Sequence, residues 1–568
     1  MSRSLAAALL LAALPMGCGS GESGTIETAD APPGRTDLPE PWFEESALSH
    51  GIEFTYDSGA DGDYHMPEIM GGGAALFDMD SDGDLDLYLT QGGPLLAPEE
   101  REPNRLFENT GGGRFRDVTA GSGAGDRGYG NGVACGDVDG DGDIDLYITN
   151  TGRNTLLLNE GAGHFRDATA EAGVGDTGWG TSAAFLDYDA DGDLDLFVTN
   201  YLRWSVDSEL PCLNALSHPD YCSPKNYRAP ARDVLFENLG DGHFRDVSEP
   251  SGIASSPGNG LGVGCADFDG DGRVDIFVAN DGMPDHLWIN GGDGTFENRA
   301  FAWGCATDAN GLNKAGMGVA LGDLDGDLDV DLMVCNLDGE SDSMFLNQGG
   351  FFQDHTVRGG VAATSKHFTR FGMGWVDFDN DGEFDLFQAD GRVEEARGST
   401  EGDPYAEENL LFRGLGAGRF EEVLPRGGVF PPLVATSRAA AFGDVNEDGA
   451  VDVVVVNRDA PVHLLLNRRG TRNRWIELRV LGADGSDALG ATLTARVGAR
   501  TLRRDVRAAY SYQASNDPRV HIGLGSGGTG LDQVTVRFPD GHKERFGPLS
   551  AGKVHVLRRG EGAPVEAE

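Results

Sequence analysis

Apolar and polar positions alternate in a fixed order along most of this chain. A short apolar run leads into an acidic stretch with carboxylates at every second position, and a second apolar run follows at once. Examples of that second run are Leu146-Tyr-Ile-Thr, Leu196-Phe-Val-Thr, Ile276-Phe-Val-Ala and Val453-Val-Val-Val. β-branched and aromatic residues in runs of this length predict strands. A third predicted strand has the form Leu-x-x-Asn and ends at Asn109, Asn159, Asn238, Asn290, Asn347 and Asn467; in the sixth copy Arg413 is read in place of the Asn. A fourth begins at Phe115, Phe165, Phe244, Phe296, Phe352 or Phe420, with a further copy at Phe43. The Gly-rich link between the third and fourth, as in Asn238-Leu-Gly-Asp-Gly-His-Phe244, is a hairpin signature.

The acidic stretches start at Asp78, Asp137, Asp187, Asp267, Asp323, Asp377 and Asp444, at intervals of 59, 50, 80, 56, 54 and 67 residues. Several strands per unit at this period predict a propeller. The expectation is an all-β chain: a seven-bladed propeller over 41–470, with an insertion at about 201–232, followed by a small β-domain over 471–559 and a tail at 560–568. The chain enters on a Phe strand at Phe43 and leaves on Leu464–Asn467. These should pair and close the ring, since closure removes free sheet edges.

Each acidic stretch has the geometry of a cation loop. Side chains at positions 1, 3, 5 and 9 can wrap one hard cation, a backbone carbonyl at position 7 can complete the shell, and Gly at position 6 permits the turn. The candidate ligands are Asp78, Asp80, Asp82, Asp84 and Asp86 in the first loop, and Asp137, Asp139, Asp141, Asp143 and Asp145 in the second. The third has Asp187, Asp189, Asp191, Asp193 and Asp195; the fourth has Asp267, Asp269, Asp271, Arg273 and Asp275. The fifth has Asp323, Asp325, Asp327, Asp329 and Asp331; the sixth has Asp377, Asp379, Asp381, Glu383 and Asp385; the seventh has Asp444, Asn446, Asp448, Ala450 and Asp452. Position 7 acts through its backbone. An all-oxygen donor set suits calcium, up to seven ions, and argues against zinc or copper. Leu328 stands where Gly is expected in loop five, and loop seven has Asn446 at position 3, so both should bind more weakly. An EF-hand is excluded, because position 12 is never Glu and the flanks are strands. The alternative for any one copy is a metal-free Asp turn; seven copies in one register would set unpaired carboxylates against one another.

These loops resemble FG-GAP or VCBS repeats. Gly51-Ile-Glu-Phe, Pro67-Glu-Ile-Met-Gly-Gly-Gly73 and the segment after Asn473 resemble the cartilage acidic protein family and its bacterial relatives, whose C-terminal module is called ASPIC/UnbV. The residues behind the second likeness include Asn473-Arg-Trp475, Leu489-Gly-Ala491, Gly523-Leu-Gly525 and Val536-Arg-Phe538-Pro-Asp-Gly541. The resemblance implies a secreted calcium-loop propeller and leaves biochemical activity open.

The net charge of −49 makes nucleic-acid binding an unfavourable reading, because that attraction needs Lys and Arg. Residues 471–559 differ, with 15 Lys/Arg against 8 Asp/Glu. Either this basic module docks on the acidic propeller or its charge is plain surface. Arg3 and the apolar run Leu5–Leu14 form an export signal ending Leu14-Pro-Met-Gly-Cys18. The end resembles a lipoprotein cleavage site with Cys18 as the lipidated residue, plain signal cleavage being the alternative. Residues 19–40 read as a tether. The expected location is the bacterial envelope, at the outer membrane, or outside the cell, with membrane contact only through the lipid and the chain a monomer. Cys212 and Cys222, among prolines in the insertion, are a disulfide candidate; Cys305 and Cys335 are a weaker one; Cys135 and Cys265 are buried small residues.

No catalytic constellation is found: Gly-x-Ser-x-Gly and His-Glu-x-x-His are both absent. Tyr64-His-Met-Pro-Glu68 either faces a propeller mouth or forms a rigid turn before the first inner strand. Trp204, Tyr221 and Tyr227 form either a binding platform or a satellite core. Gly128-x-Gly130, Gly178-x-Gly180 and Gly316-x-Gly318 lack a βαβ context, so close strand packing explains them better than a nucleotide site. The leading functional reading is a binding or adhesion module for a protein or polysaccharide. The alternatives are a calcium-assisted polysaccharide lyase or hydrolase at the propeller mouth, and an envelope assembly scaffold.

Overall fold

The computed structural model describes residues 40–240, 242–395, 402–498 and 500–565. The export signal, Cys18 and nearly all of the tether lie outside the described residues. Seven antiparallel sheets of four strands follow one another along the chain. In blade two the strands are Gly130–Gly136, Asp145–Asn150, Thr155–Asn159 and Phe165–Asp167. The acidic loop joins the first and second strands of every blade, and position 9 opens the second strand. The second strand is buried along its length, as in Asp145–Asn150. This explains its near-continuous apolar run, since neighbouring blades cover both of its faces.

The first strands of the seven blades touch one another in a closed cycle, Ala74–Phe77 meeting both Gly130–Gly136 and Ser437–Gly443. The ring is completed by Phe43–Glu45, which pairs with His463–Asn467 in the register Phe43↔Asn467, Glu44↔Leu466 and Glu45↔Leu465. The closure expected from the phase of the repeat is therefore present. The paired glycines fit close packing: a Cβ on Gly128 would lie 2.2 Å from Asn150 Oδ1, and one on Gly318 would lie 1.9 Å from Phe371 O.

Two sequence expectations are corrected here. In blade six it is Gly414, not Arg413, that pairs with Phe420 and stands in the Asn register. The doubled Leu410-Leu411 had slipped the reading by one residue. In the six other blades the Asn side chain donates to position 2 of the preceding blade's loop, as Asn159 Nδ2 does to Met79 O at 2.8 Å. Gly414 has no side chain for this, and Gly418 N donates to Leu324 O instead. Second, Cys305 and Cys335 are both free, buried thiols. Cys335 Sγ is already engaged, within 3.1 Å of Gly318 N and 3.0 Å of Phe371 O. Cys212 and Cys222 are bonded, with Cα atoms 5.3 Å apart.

Residues 474–564 build three further sheets, one of them pairing Arg474–Leu481 with Val520–Gly525 and Val554–Arg558. This module seats on the loop face of the propeller and sends residues 506–517 into the ring. Ser511 exchanges backbone hydrogen bonds with Val319 in blade five, and its Oγ donates to Ala440 O in blade seven and accepts from Met373 N in blade six. Gln513 N donates to Ser182 Oγ in blade three at 3.1 Å, and Ala514–Ser515 pair in parallel with Ala74–Ala75 in blade one. A segment bonded to the inner strands of five blades lies on the propeller axis. The channel is filled by the chain's own C-terminal module.

Candidate metal centres and the opposite mouth

The seven loops share one hydrogen-bond scheme, which explains why the same residue types recur. The position 9 carboxylate accepts two backbone N–H groups, from position 2 of its own loop and from the end of the third strand. Asp145, for example, accepts from Val138 N at 2.9 Å and Asn159 N at 2.8 Å. The same pair of bonds is made by Asp86, Asp195, Asp275, Asp331, Asp385 and Asp452. Sequence reasoning named these residues as ligands and missed their second role as staples between loop and blade. Position 5 turns back to accept the N–H of position 7, as Asp82 does from Asp84 at 2.9 Å. Position 6 has a positive φ in every loop, including Leu328 at 78°, and so does position 4, from Ser81 to Glu447. The strain expected at Leu328 is present; the left-handed position 4 was not foreseen.

These staples are buried, and burial pushes the carboxyls of Asp86, Asp145, Asp195, Asp275 and Asp331 up to about 8. Backbone N–H groups oppose that shift and neighbouring loop carboxylates add to it. Position 1 is raised for the same first cause, to about 6 at Asp137 and about 7 at Asp187.

The donor chemistry fits a hard cation in several loops. One carboxylate oxygen each of Asp78, Asp80, Asp187, Asp267 and Asp325 is buried with no hydrogen-bond partner. In loop one, atoms of Asp78, Asp80 and Asp86 lie within 4.8 Å of one another, and equivalent sets occur at Asp137, Asp139 and Asp145 and at Asp187, Asp189 and Asp195. In loop four the convergent set is Asp267, Asp269 and Asp271. A buried unpaired oxygen costs free energy unless something meets it.

Arginines of the C-terminal module reach these loops, and sequence reasoning did not single them out. Arg479 Nη1 lies 3.6 Å from Asp78, and Arg537 Nη1 donates to Asp267 Oδ2 at 3.1 Å. Arg503 Nη1 donates to Leu328 O at 2.9 Å. Arg500 pairs with Glu383 and donates to Gly382 O at 2.7 Å. Trp475 covers loop seven so closely that a Cβ on Gly449 would lie 1.7 Å from its Nε1. Of the two readings of the basic module, docking is the one the structure shows.

The opposite mouth lies where the first strands begin. Tyr512, at the tip of the inserted segment, reaches it and donates to Met70 O at 3.2 Å. Tyr64–Glu68 leads into a short turn over Met66–Ile69, so the rigid-turn reading holds, and the turn also lines this mouth. Glu209 gathers the insertion onto it, accepting Met66 N at 2.8 Å, Trp204 Nε1 at 2.9 Å and Tyr227 OH. His65 Nδ1 lies 3.0 Å from Glu68 Oε1, and Tyr221 OH donates to the other oxygen at 3.2 Å. Burial raises Glu68 to about 6, opposed by His65. Trp204 stands edge-on to Trp179 at 5.7 Å and to His65 at 6.5 Å. Tyr64, Trp204 and Tyr227 are half-buried, and Tyr221 is buried with Tyr201, Tyr405 and Tyr512. The aromatic residues thus form a satellite core with a partly open rim.

Comparison with known proteins follows the same division. An FG-GAP-like repeat model matches residues 78–148, 137–198, 218–278 and 267–334, and an ASPIC and UnbV model matches 482–564. The chain belongs to the family that joins FG-GAP repeats to an ASPIC/UnbV domain. It is 26% identical over 315 residues to human cartilage acidic protein 1, covering 52% of this chain and 43% of that protein. To the Xenopus tropicalis protein it is 26% identical over 303 residues, covering 50% of this chain and 42% of that protein. The chain thus spans less than half the length of the relatives it matches. Among solved structures, an Agrocybe aegerita lectin that recognises non-reducing terminal N-acetylglucosamine aligns over 65% of this chain and 90% of its own, with a TM-score of 0.38 and 16% identity. YCF48 bound to a D1 peptide aligns over 76% of this chain and 100% of its own, with a TM-score of 0.40 and 8% identity.

Proposed function

We propose that the protein is a calcium-loaded propeller that serves, as a single exported chain, to bind a polysaccharide or protein ligand at the mouth opposite its acidic loops. One observation carries the calcium part. Buried carboxylate oxygens without an N–H partner recur at position 1 of loops one, three and four and at position 3 of loops one and five. Oxygen-only donors of this kind suit Ca²⁺, which there would offset carboxylate repulsion and tie loop to blade. Up to seven ions are the sequence's expectation, with weaker sites at loops five and seven. Affinity on the order of 0.1–1 mM is expected for an extracellular module.

The choice of mouth rests on what is already covered. The C-terminal module sits on the loop face, and residues 506–517 fill the channel. The opposite rim keeps half-buried Tyr64, Trp204 and Tyr227 beside His65. Aromatic rings with polar tips offer an apolar face and hydrogen bonds together, which suits a sugar ring or an apolar peptide side chain. Lipidation at Cys18 would hold this mouth at the bacterial envelope; plain cleavage would release it.

The test is retention. The chain is immobilised in millimolar calcium and challenged with a polysaccharide panel and envelope extracts, beside a Trp204→Ala variant. Retention of an unaltered ligand, reduced at least tenfold by Trp204→Ala, is expected. Shortened or unsaturated products in solution would show an enzyme instead.

A further inference from the structure

We infer that loop six carries its own cation, the guanidinium of Arg413, and takes no calcium. The inference rests on the calcium reading of the other loops. Arg413 lies on the third strand of blade six, one residue before Gly414. The same register holds Glu108, Leu158, Glu237, Ile289, Leu346 and Leu466 in the other blades, so arginine is peculiar to this one. Its Nη2 donates to Asp381 Oδ2 at 2.8 Å, and its Nε lies 3.2 Å from Asp379 Oδ2. Arg469 Nη2 stands 3.9 Å from that same oxygen. Positions 3 and 5 of the loop therefore face a cation that belongs to the chain.

Position 1 is also occupied. Asp377 Oδ2 accepts Gly382 N at 2.8 Å and Gly523 N at 3.1 Å, and its Oδ1 accepts Asp381 N at 3.0 Å. A Cβ on Gly523 would lie 2.1 Å from Asp377 Oδ2, so the backbone of the C-terminal module presses directly on this carboxylate. Asp377, Asp379 and Asp381 leave no buried oxygen without a partner, in contrast to loops one, three, four and five; positions 1, 3 and 5 of loops two and seven leave none either, but no third-strand arginine stands over those loops. Calcium needs six to eight oxygen ligands. Here the oxygens that would supply them already meet N–H groups, and a divalent ion would sit beside a guanidinium.

The C-terminal module makes further contacts with loop six. His521 Nε2 lies 2.6 Å from Asn380 Oδ1, Gly525 N donates to Asn380 O at 2.9 Å, and Asn473 Nδ2 donates to Asp379 O at 2.8 Å. An internal cation keeps this seat formed whatever the calcium supply.

The experiment counts bound calcium per full-length chain by equilibrium dialysis with atomic absorption. It compares the unaltered chain with Asp80→Ala in loop one, whose buried oxygen has no hydrogen-bond partner, Asp381→Ala in loop six, and Arg413→Leu. Leucine is chosen because blades two, five and seven carry it at this register. The expected result is a loss of one ion for Asp80→Ala, no change for Asp381→Ala, and a gain of one for Arg413→Leu. Loss of one ion in Asp381→Ala would overturn the inference while leaving the calcium reading intact. A folded Arg413→Leu chain with an unchanged count would overturn it as well. An unaltered chain that binds no calcium would remove the calcium reading, and this inference with it. If Arg413→Leu does not fold, Asp381→Ala alone decides.

Discussion

At the scale of single residues, position 9 of each acidic loop has a role that the sequence does not show. The spacing of carboxylates proposes cation ligands, yet position 9 is a clamp on two backbone N–H groups. Replacing Asp145 by Ala would leave Val138 N and Asn159 N buried and unpaired. The expected loss is about 2–6 kcal/mol, at roughly 1–3 kcal/mol per unsatisfied group, read by urea unfolding in calcium. Leu328 is the opposite case. It is held at φ 78°, which costs a non-glycine residue about 1–2 kcal/mol, and its side chain is exposed. Leu328→Gly should therefore be neutral or stabilising by up to about 1 kcal/mol, after the greater unfolded-state freedom of glycine is counted. It should also tighten calcium at loop five. A destabilisation above about 1 kcal/mol would mean that the leucine side chain contributes contacts outweighing its backbone strain.

At the scale of elements, what could be read from the sequence was whatever depends on short spacing. The loops, the flanking strands and the Asn-to-Phe hairpins are all local patterns, and each copy corroborated the others. Ring closure was legible too, because the chain starts and stops on strands that elsewhere are partners. The inserted segment was not. Ser511-Tyr-Gln-Ala-Ser-Asn516 reads as an ordinary polar turn, and only the ring around it supplies Val319, Met373, Ala440 and Ser182 as partners. The same limit hid Arg479, Arg503 and Arg537, whose loop partners lie over a hundred residues away. The disulfide at Cys212–Cys222 was legible because the cysteines are close in sequence and sit among prolines. It closes a loop of ten residues in a segment with little core of its own. Replacing both cysteines by serine should cost up to about 3 kcal/mol of local stability. The expected readout is faster proteolytic cleavage within 203–230 while the blades stay intact; unchanged cleavage would show that Glu209 and its partners suffice to hold the insertion.

At the scale of the whole molecule, the propeller is closed three times over: by strand pairing between its two ends, by a segment along its axis, and by a module across its loop face. The mouth opposite the loops keeps a partly open aromatic rim around Trp204. Shortening Tyr512 to Ala should test the axial closure. It removes a fully buried ring stacked edge-on with Phe371 at 4.9 Å, and a loss of about 3–5 kcal/mol is expected for a cavity of that size. The proposed calcium sites would act at this scale as well, because each would stabilise the folded chain by mass action. With a dissociation constant of about 1 mM and 10 mM free ion, one site contributes about 1.4 kcal/mol, so several together dominate the thermal stability.

That coupling is the most direct test of the account. Thermal unfolding of the full chain would be followed by calorimetry in 10 mM calcium and in excess chelator, with magnesium at the same ionic strength as control. The account predicts a midpoint at least ~10 °C higher in calcium, lost on chelation and not restored by magnesium. Identical midpoints in all three conditions would contradict it, and the acidic loops would then be metal-free turns held by their own backbone hydrogen bonds.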